Sequence, residues 1–419
     1  MVNGALKTEL PKDWDAVTLG DYAQIFRGGS PRPIQDFITT SDKGINWIKI
    51  GDVGVGAKYI TTTEEKIIPE GVSRSRMVYE GDLILSNSMS YGRPYIMNIE
   101  GCIHDGWLVI QKYDKTFYKD YLYYALSSEL TMQQYITMAA GSSVQNLNKE
   151  KVSKVVLPCP PITEQKKIAE ILADIDDLIT DVEKLIVKKK NIKAGCLQHM
   201  LVPNGKLEPQ IRLPGYSGRW RSKKLGDGTS IKARIGWQKL TKEEYLEAGN
   251  YYLITGTDIT ENHRIDYRKC YYVTRERYLK DENIQVHDGD IIVTKDGTIG
   301  KVARIEKLDK PATLNSHLFV IRDLSGSLNN RFLLHILSSN IFNRFVEETK
   351  TGTTLTGLPQ KTFVQFEFMV PSMEEQEEVA NVLDDLDSNI SILQTKLHKY
   401  LMLKQGMMEE LLTGKVRLV

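Results

Sequence analysis

Apolar residues recur at alternating steps of three and four along two long stretches of the chain. The first stretch carries Ile168, Ile171, Ile175, Leu178, Val182, Leu185, Ile192 and Cys196, and the second Val379, Val382, Leu386, Ile390, Leu393, Leu397, Tyr400 and Met407. This spacing predicts two helices with coiled-coil seams, with only Lys189 out of register. Pro160, Pro161 and Pro371 mark their starts, and Ser372 with Glu375 has capping-box spacing. Each helix should run ~40 residues, roughly 60 Å at 1.5 Å per residue. Elsewhere NWIKI, DLILS and WLVIQ, then DIIVT, KVARI and HLFVIR, read as short strands between Gly/Asp turns. Helical spacing returns over 118–138 and 329–348.

These elements occur in the same order twice. WDAVTLGD at Trp14 returns as WRSKKLGD at Trp220, and NWIKIGDV at Asn46 returns loosely as YYLITGTDI at Tyr251. YEGDLILSNSMSYGRP at Tyr79 matches HDGDIIVTKDGTIGKV at His287. HDGWLVI at His104 matches NSHLFVI at Asn315, and GSSVQNLNKEKV at Gly141 matches GTTLTGLPQKTF at Gly352. A tandem duplication follows, each copy a mixed globular part plus one long helix. The expected fold is α+β: two similar mixed α/β domains separated by two long helices that form an antiparallel coiled coil, a pseudo-twofold tandem repeat. Expected boundaries are 1–160 for the first domain, 161–202 for the central helix, 203–371 for the linker and second domain, and 372–419 for the last helix.

Charge chooses the helix direction. Asp174, Asp176, Asp177, Asp181 and Glu183 precede Lys184, Lys188, Lys189, Lys190 and Lys193 in the first helix, and Asp384, Asp385 and Asp387 precede Lys396, Lys399 and Lys404 in the second. Laid parallel, acid meets acid; laid antiparallel, acid meets base. The alternative is two separately solvated amphipathic helices. Between the first helix and the second domain, VPNGKLEPQIRLPGYSGRW is a linker dense in Pro and Gly.

Composition adds limits. The 419 residues are 41% hydrophobic and 26% charged, ordinary for folded chains, and 55 basic against 54 acidic residues leave a formal charge of +1. Any nucleic-acid surface must therefore be a local basic patch. Cys102, Cys159, Cys196 and Cys270 form no CxxC pair and no Cys/His ligand cluster, which fits a reduced, metal-free cytoplasmic protein without a cofactor. No apolar run suggests a signal peptide or membrane span.

With PPITEQKKIAEILADID from Pro160, PSMEEQEEVANVLDDLD from Pro371, the paired GDLIL and GDIIV elements, the paired WxxxxLGD starts and LLTGKVRL at Leu411, the chain resembles the specificity subunits of type I restriction-modification systems over essentially its whole length. The resemblance implies a subunit without catalysis of its own. Each globular part would be a target recognition domain reading one half of a split, asymmetric DNA sequence. The helices would fix the half-site separation and dock two methyltransferase subunits, which modify adenine N6 with S-adenosylmethionine, and restriction subunits would join that core. The chemistry motifs agree. An adenine-N6 methyltransferase needs a [DN]PP-aromatic loop, and CPPI at Cys159 is wrong at both ends. GTIGKV at Gly297 is no phosphate loop.

Base readout needs donors and acceptors at groove edges, and phosphates need cations or exposed amides. The candidates are Arg27, Ser30, Arg32, Arg74, Arg76, Ser86, Asn87, Ser88, Tyr91 and Arg93, with Ser142 and Ser143, in the first domain. In the second they are Lys232, Arg234, Lys239, Thr294, Lys295, Thr298 and Lys301, with Thr353 and Thr354. Each competes with the plain reading of a solvated loop. SNSMSY against TKDGTI on matching frames implies different half-sites. His104 and His317 read as satisfied core or loop histidines, Trp14 and Trp220 as core plugs, and the YLYY run at Tyr121 as helix packing. Two other functions stay open: a scaffold that gathers proteins and ignores DNA sequence, and a metal nuclease using Asp288, Asp290 and Lys295, against which Glu80, Asp82 and Asn87 of the first copy lack the lysine.

Overall fold

In a computed structural model, residues 9–54, 56–87, 92–139, 147–203, 205–234, 240–351 and 357–418 are described. They form two compact units, Met1–Asp181 with Leu397–Val419, and Val182–Lys396. The long helices Ile162–Met200 and Met373–Leu412 each contribute to both units.

In unit 1 a central sheet runs in the order Gln24–Arg27, Trp107–Gln111, Leu83–Ser86, Pro94–Met97 and Tyr59–Ile60. Leu83, Leu85, Leu108 and Ile110 enter a core shared with helix Lys119–Ser127 and the long helices, whereas Ile84, Trp107 and Val109 enter a core on the opposite face. Both faces are covered, so the strand reads as a continuous apolar run rather than an alternation. A second sheet orders Ile38–Thr39, Glu65–Ile67, Ile45–Ile48, Gly101–Ile103 and Arg76–Val78.

Unit 2 has the same plan. Its central sheet orders Thr229–Ala233, Leu318–Asp323, Ile291–Thr294 and Val302–Arg304. Ile291, Val293, Phe319 and Ile321 face one core and Ile292, Leu318 and Val320 the other. The companion sheet orders Tyr271–Tyr272, Tyr252–Ile254, Ala312–Leu314 and Gln285–Val286. The mixed α and β tandem repeat predicted from the sequence is thus the observed fold class.

Three expectations need correction. The helical spacing over 118–138 is two helices, Lys119–Ser127 and Glu129–Ala139, broken at Ser128, whose extended backbone leaves its hydroxyl donating to Ala125 O at 2.7 Å. The stretch over 329–348 breaks likewise into Asn330–Leu337 and Asn340–Thr351 around Ser339, whose hydroxyl donates to Ile336 O at 2.7 Å. A serine that can bond its own backbone substitutes for the interrupted helical bonds, and the apolar period runs through the break unaltered.

The seam of the first long helix is the second correction. Its buried row is Ile168, Leu172, Ile175, Ile179, Val182 and Ile186, while Leu178 and Leu185 are 47% and 45% exposed and Ile171 is half-buried. Ile171–Leu172, Leu178–Ile179 and Leu185–Ile186 are adjacent apolar pairs, so two three/four alternations fit the sequence and the period alone does not choose between them. In the second helix Val379, Leu383 and Ile390 are buried, and Val382, Leu386, Leu393 and Leu397 are half-buried.

Third, the capping box is half made. Glu375 N donates to Ser372 Oγ at 3.3 Å, but the Glu375 carboxylate accepts from Arg212 Nε at 2.9 Å and Trp220 Nε1 at 3.3 Å. In unit 1 Glu164 accepts from Trp14 Nε1 at 3.0 Å and from Arg417 Nε at 2.9 Å. The following glutamines also match. Gln165 Oε1 receives Tyr118 N at 2.8 Å and Gln376 Oε1 receives Asn329 N at 2.9 Å, the N-cap residues of helices Lys119–Ser127 and Asn330–Leu337. The repeated EQ pair is buried because it bolts the long helix to its globular part.

The helix halves run antiparallel within each unit. In unit 1, Lys404 Nζ lies 2.6 Å from Asp176 Oδ1. In unit 2, Lys193 Nζ lies 2.5 Å from Asp387 Oδ1. Acid meets base as the charge order requires.

Candidate nucleic-acid interface

The central strand of unit 1 delivers Ser86 and Asn87 to its end, and both are buried. Arg93 N donates to Ser86 Oγ at 3.1 Å, and Gly92 N to Ser86 O at 2.9 Å. Asn87 donates from its backbone to Gly106 O at 2.9 Å and from Nδ2 to Asp105 O at 3.0 Å, and its own carbonyl receives Leu147 N at 3.1 Å. Ser86 and Asn87, two of the candidates for DNA contact, are turned inward and hold the frame at the end of the strand. Their side chains are spent on the backbone. Gly92 adopts φ +74°, and a Cβ there would lie 2.7 Å from the Tyr135 ring, so the loop returns past a site only glycine fits.

Around this frame the structure gathers much of the first candidate set. Arg27 ends strand Gln24–Arg27 and donates from Nε to Asp105 O at 2.9 Å. Ser30 Oγ donates to Asp105 Oδ1 at 2.9 Å, and the Arg27 and Arg32 guanidiniums stand 3.8 and 3.9 Å from Asp105 Oδ2. Arg27 and Arg32 remain largely exposed. Arg76 lies over the Phe26 ring at 4.9 Å, beside Arg27 in sequence, and Arg74 over Phe37 at 5.3 Å. Arg74, Arg76 and Arg93 are exposed. Burial works against the charge of Asp105, yet the Ser30 hydroxyl, His104 and Arg27 hold its carboxyl below the usual range. Burial pulls His104 the other way, toward the neutral ring; its Nε2 accepts from Ile50 N at 3.2 Å.

Unit 2 repeats the frame with other residues. Thr294, buried, takes Lys301 N on its hydroxyl at 2.9 Å and donates to Thr298 O. Lys295 N donates to His317 O at 2.9 Å, and Leu358 N donates to Lys295 O at 2.6 Å. Asp296 contacts His317 Nδ1 at the same joint. Lys232, Thr298 and Lys301 are exposed, and Lys295 Nζ lies 5.7 Å over the Phe319 ring. Arg234 turns inward instead. Its Nε and NH2 donate to Leu314 O at 3.1 and 2.8 Å, and burial, then the nearby Arg277 charge, push its pKa down to about 10. Thr294 and Arg234 thus join Ser86 and Asn87 as interior residues of the frame, because a strand end needs side-chain partners where pairing stops. Ser88, Tyr91, Ser142, Ser143, Lys239, Thr353 and Thr354 lie outside the described residues.

Sequence reasoning passed over Asp105 and Asp296, although both stand inside the quoted HDGWLVI and TKDGTI strings. Asp105 stood in a string noted only for its repetition, and Asp296 in a run noted for its polar and basic residues. The nuclease constellation is dismantled. Asp290 accepts from His287 N at 2.8 Å and from Arg322 NH2 at 2.7 Å, and Asp288 Oδ1 accepts from Leu308 N at 3.0 Å. Among the described residues no group of three or more His, Cys, Asp or Glu is placed to hold a metal ion, and no helix is long and apolar enough to cross a membrane.

Two copies of one α/β frame, each with a different set of exposed cations on the loops at the end of a doubly buried sheet, are the layout of a tandem recognition scaffold. The chain belongs to the family of type I restriction modification DNA specificity domains, whose model matches it twice, at residues 11–193 and 218–400. It is 22% identical to the type I restriction enzyme MjaVIII specificity subunit of Methanocaldococcus jannaschii, over 97% of this chain and 94% of that one. It is also 22% identical to the EcoBI specificity subunit of Escherichia coli, over 92% and 81%. Among solved structures, the S subunit of a type I restriction-modification system from M. genitalium has a TM-score of 0.58 at 13% identity, covering 97% of this chain and 98% of that one.

Proposed function

We propose that this chain is the target-reading subunit of a type I restriction-modification complex, in which each globular domain reads one half of a bipartite, asymmetric DNA site. The paired long helices set the separation of the half-sites and dock adenine-N6 methyltransferase subunits, to which restriction subunits add. The observation that carries this reading is the pair of equivalent strand-end frames, Ser86–Asn87 in one unit and Thr294–Lys295 in the other, bearing different exposed cations. Cations on these loops supply salt-dependent affinity for any duplex, and neighbouring donors and acceptors select bases. The exposed Leu178, Leu185 and Ile192 of the first long helix fit the docking role, since apolar side chains left out of the seam suit a partner helix.

The test is a heptad inserted in each long helix, after Asp181 and after Lys396. Seven residues add ~10 Å of helix, about three base pairs at 3.4 Å each. Genome-wide mapping of N6-methyladenine in cells expressing the chain with its methyltransferase should show both half-sites unchanged and the gap between them longer. Altered half-sites, or an unchanged gap, would overturn the reading.

A further inference from the structure

Asp105 is out of place on a surface meant for polyanions. It sits at the centre of the unit 1 cation cluster, with Arg27 and Arg32 guanidiniums 3.8 and 3.9 Å from one carboxylate oxygen and Ser30 Oγ bonded to the other at 2.9 Å. The arginine contacts are long and single rather than bidentate, so neither guanidinium is used up: Arg27 is 58% exposed and Arg32 82%. The acid itself is 43% exposed.

Nor is it free to swing away. The 27–30 segment is pressed against its turn so closely that a Cβ at Gly28 would lie 2.1 Å from His104 O, and against the neighbouring 74–75 segment so closely that one at Gly29 would lie 2.9 Å from Arg74 O. Its own carbonyl is fixed by Arg27 Nε and Asn87 Nδ2. A phosphate that approaches Arg27 or Arg32 must therefore share them with a fixed negative charge.

Unit 2 carries a carboxylate at the corresponding joint, between the loop after its central strand and the turn before Leu318. There Asp296 lies on the loop and its ring partner His317 on the turn, the reverse of the unit 1 arrangement. The residues differ, but an acid at the joint recurs.

Resting on the reading of these loops as a DNA surface, we propose that Asp105 is a discrimination residue: its fixed charge weakens binding to every duplex, and a cognate half-site offsets the loss by presenting an amino group to the carboxylate. Phosphates supply only negative charge, so a duplex with no amino group placed opposite the carboxylate meets repulsion alone. Cytosine N4 and adenine N6 are the major-groove donors a carboxylate accepts from, so the same charge that opposes non-specific contact favours a site with such a base opposite it. Affinity is exchanged for selectivity.

The test uses the chain assembled with its co-expressed methyltransferase subunits, titrated by fluorescence anisotropy with a random-sequence duplex and with the duplex found by methylation mapping, at several salt concentrations. Asp105→Asn, which keeps an acceptor for Ser30 and removes the charge, should bind the random duplex roughly ten-fold more tightly. Its plot of log affinity against log salt should steepen by about one. The cognate-to-random ratio should fall, and the methylation map should gain sites that deviate in one half-site only. Asp105→Glu, which keeps the charge, should hold random binding within roughly two-fold of the parent. Random-duplex affinity that is unchanged or lower in Asp105→Asn, with thermal unfolding unaltered, would overturn the proposal. The double variant Arg27→Ala/Arg32→Ala separates the two levels. If it weakens DNA binding while Asp105→Asn does nothing, only the role of Asp105 falls; if it leaves DNA binding intact, the assignment of this surface falls with it.

Discussion

Arg417 grips Glu164 from 253 positions away, donating from Nε and NH2 at 2.9 Å each, and its other face holds Asp13. Arg212 makes the equivalent grip on Glu375 from the linker, at 2.9 and 2.8 Å. In unit 1 the residue that completes the clamp comes from the segment just after the second long helix, and in unit 2 from the segment after the first. Among the described residues, Arg417→Ala leaves the buried glutamate Trp14 Nε1 and the Leu418 amide as donors. The unit 1 unfolding transition should drop by about 5 °C in calorimetry, with the unit 2 transition unmoved; equal drops in both would contradict the pairing.

The same clamp fixes an acid response. Arg417 foremost, opposed by burial and aided by Leu418 N–H and Trp14, holds the Glu164 carboxyl below its ordinary 4.5. A depressed native pKa means the unfolded state binds the proton first, so the stabilisation is full above about pH 4.5 and fades as pH falls through the native value. Urea midpoints measured from pH 7 to pH 3 should decline across that window, and Arg417→Ala should flatten the decline.

The seam assignment separates neighbouring residues. Ile175→Ala and Ile179→Ala each open a cavity in the buried row and should cost about 2–4 kcal/mol. Leu178→Ala and Leu185→Ala should cost under ~0.5 kcal/mol, yet reduce recovery of the methyltransferase in co-purification if the exposed row is its dock.

Lys193 and Asp387 face each other at 2.5 Å with side chains mostly buried. Asp387→Lys should destabilise unit 2, and adding Lys193→Asp should restore most of the loss, a coupling of about 1–2 kcal/mol in a double-mutant cycle. Independent, additive effects would show that the pair is incidental.

Gly92→Ala places a methyl against Tyr135 at a φ that side chains avoid. It should destabilise unit 1 by about 1–3 kcal/mol and, if each unit reads one half-site as proposed, weaken recognition of one half-site while leaving the other intact in a methylation map.

The order of elements, the duplication and the two long helices were legible because each is written locally: in β-branched runs, Gly/Asp turns, a three/four apolar period and strings that recur. Even the antiparallel sense followed from the order of acids and bases, and the contacts of Lys404 with Asp176 and Lys193 with Asp387 agree with it.

The tertiary structure decided what no local pattern ranks. Leu178 and Ile179 are equally apolar neighbours, and only the folded chain buries one and exposes the other. Arg27 and Arg234 are equally basic and each bonds a backbone carbonyl, of Asp105 and of Leu314, but the first stays largely exposed while the second is buried. Asp105 drew no notice among bases until the fold set it between Arg27, Arg32 and Ser30. Periodicity and charge order depend on neighbours a few residues apart, and sequence records those directly. Which side chain meets solvent and which meets a distant carbonyl depends on contacts between residues 75 or more apart in the chain, and those exist only once the chain has closed on itself.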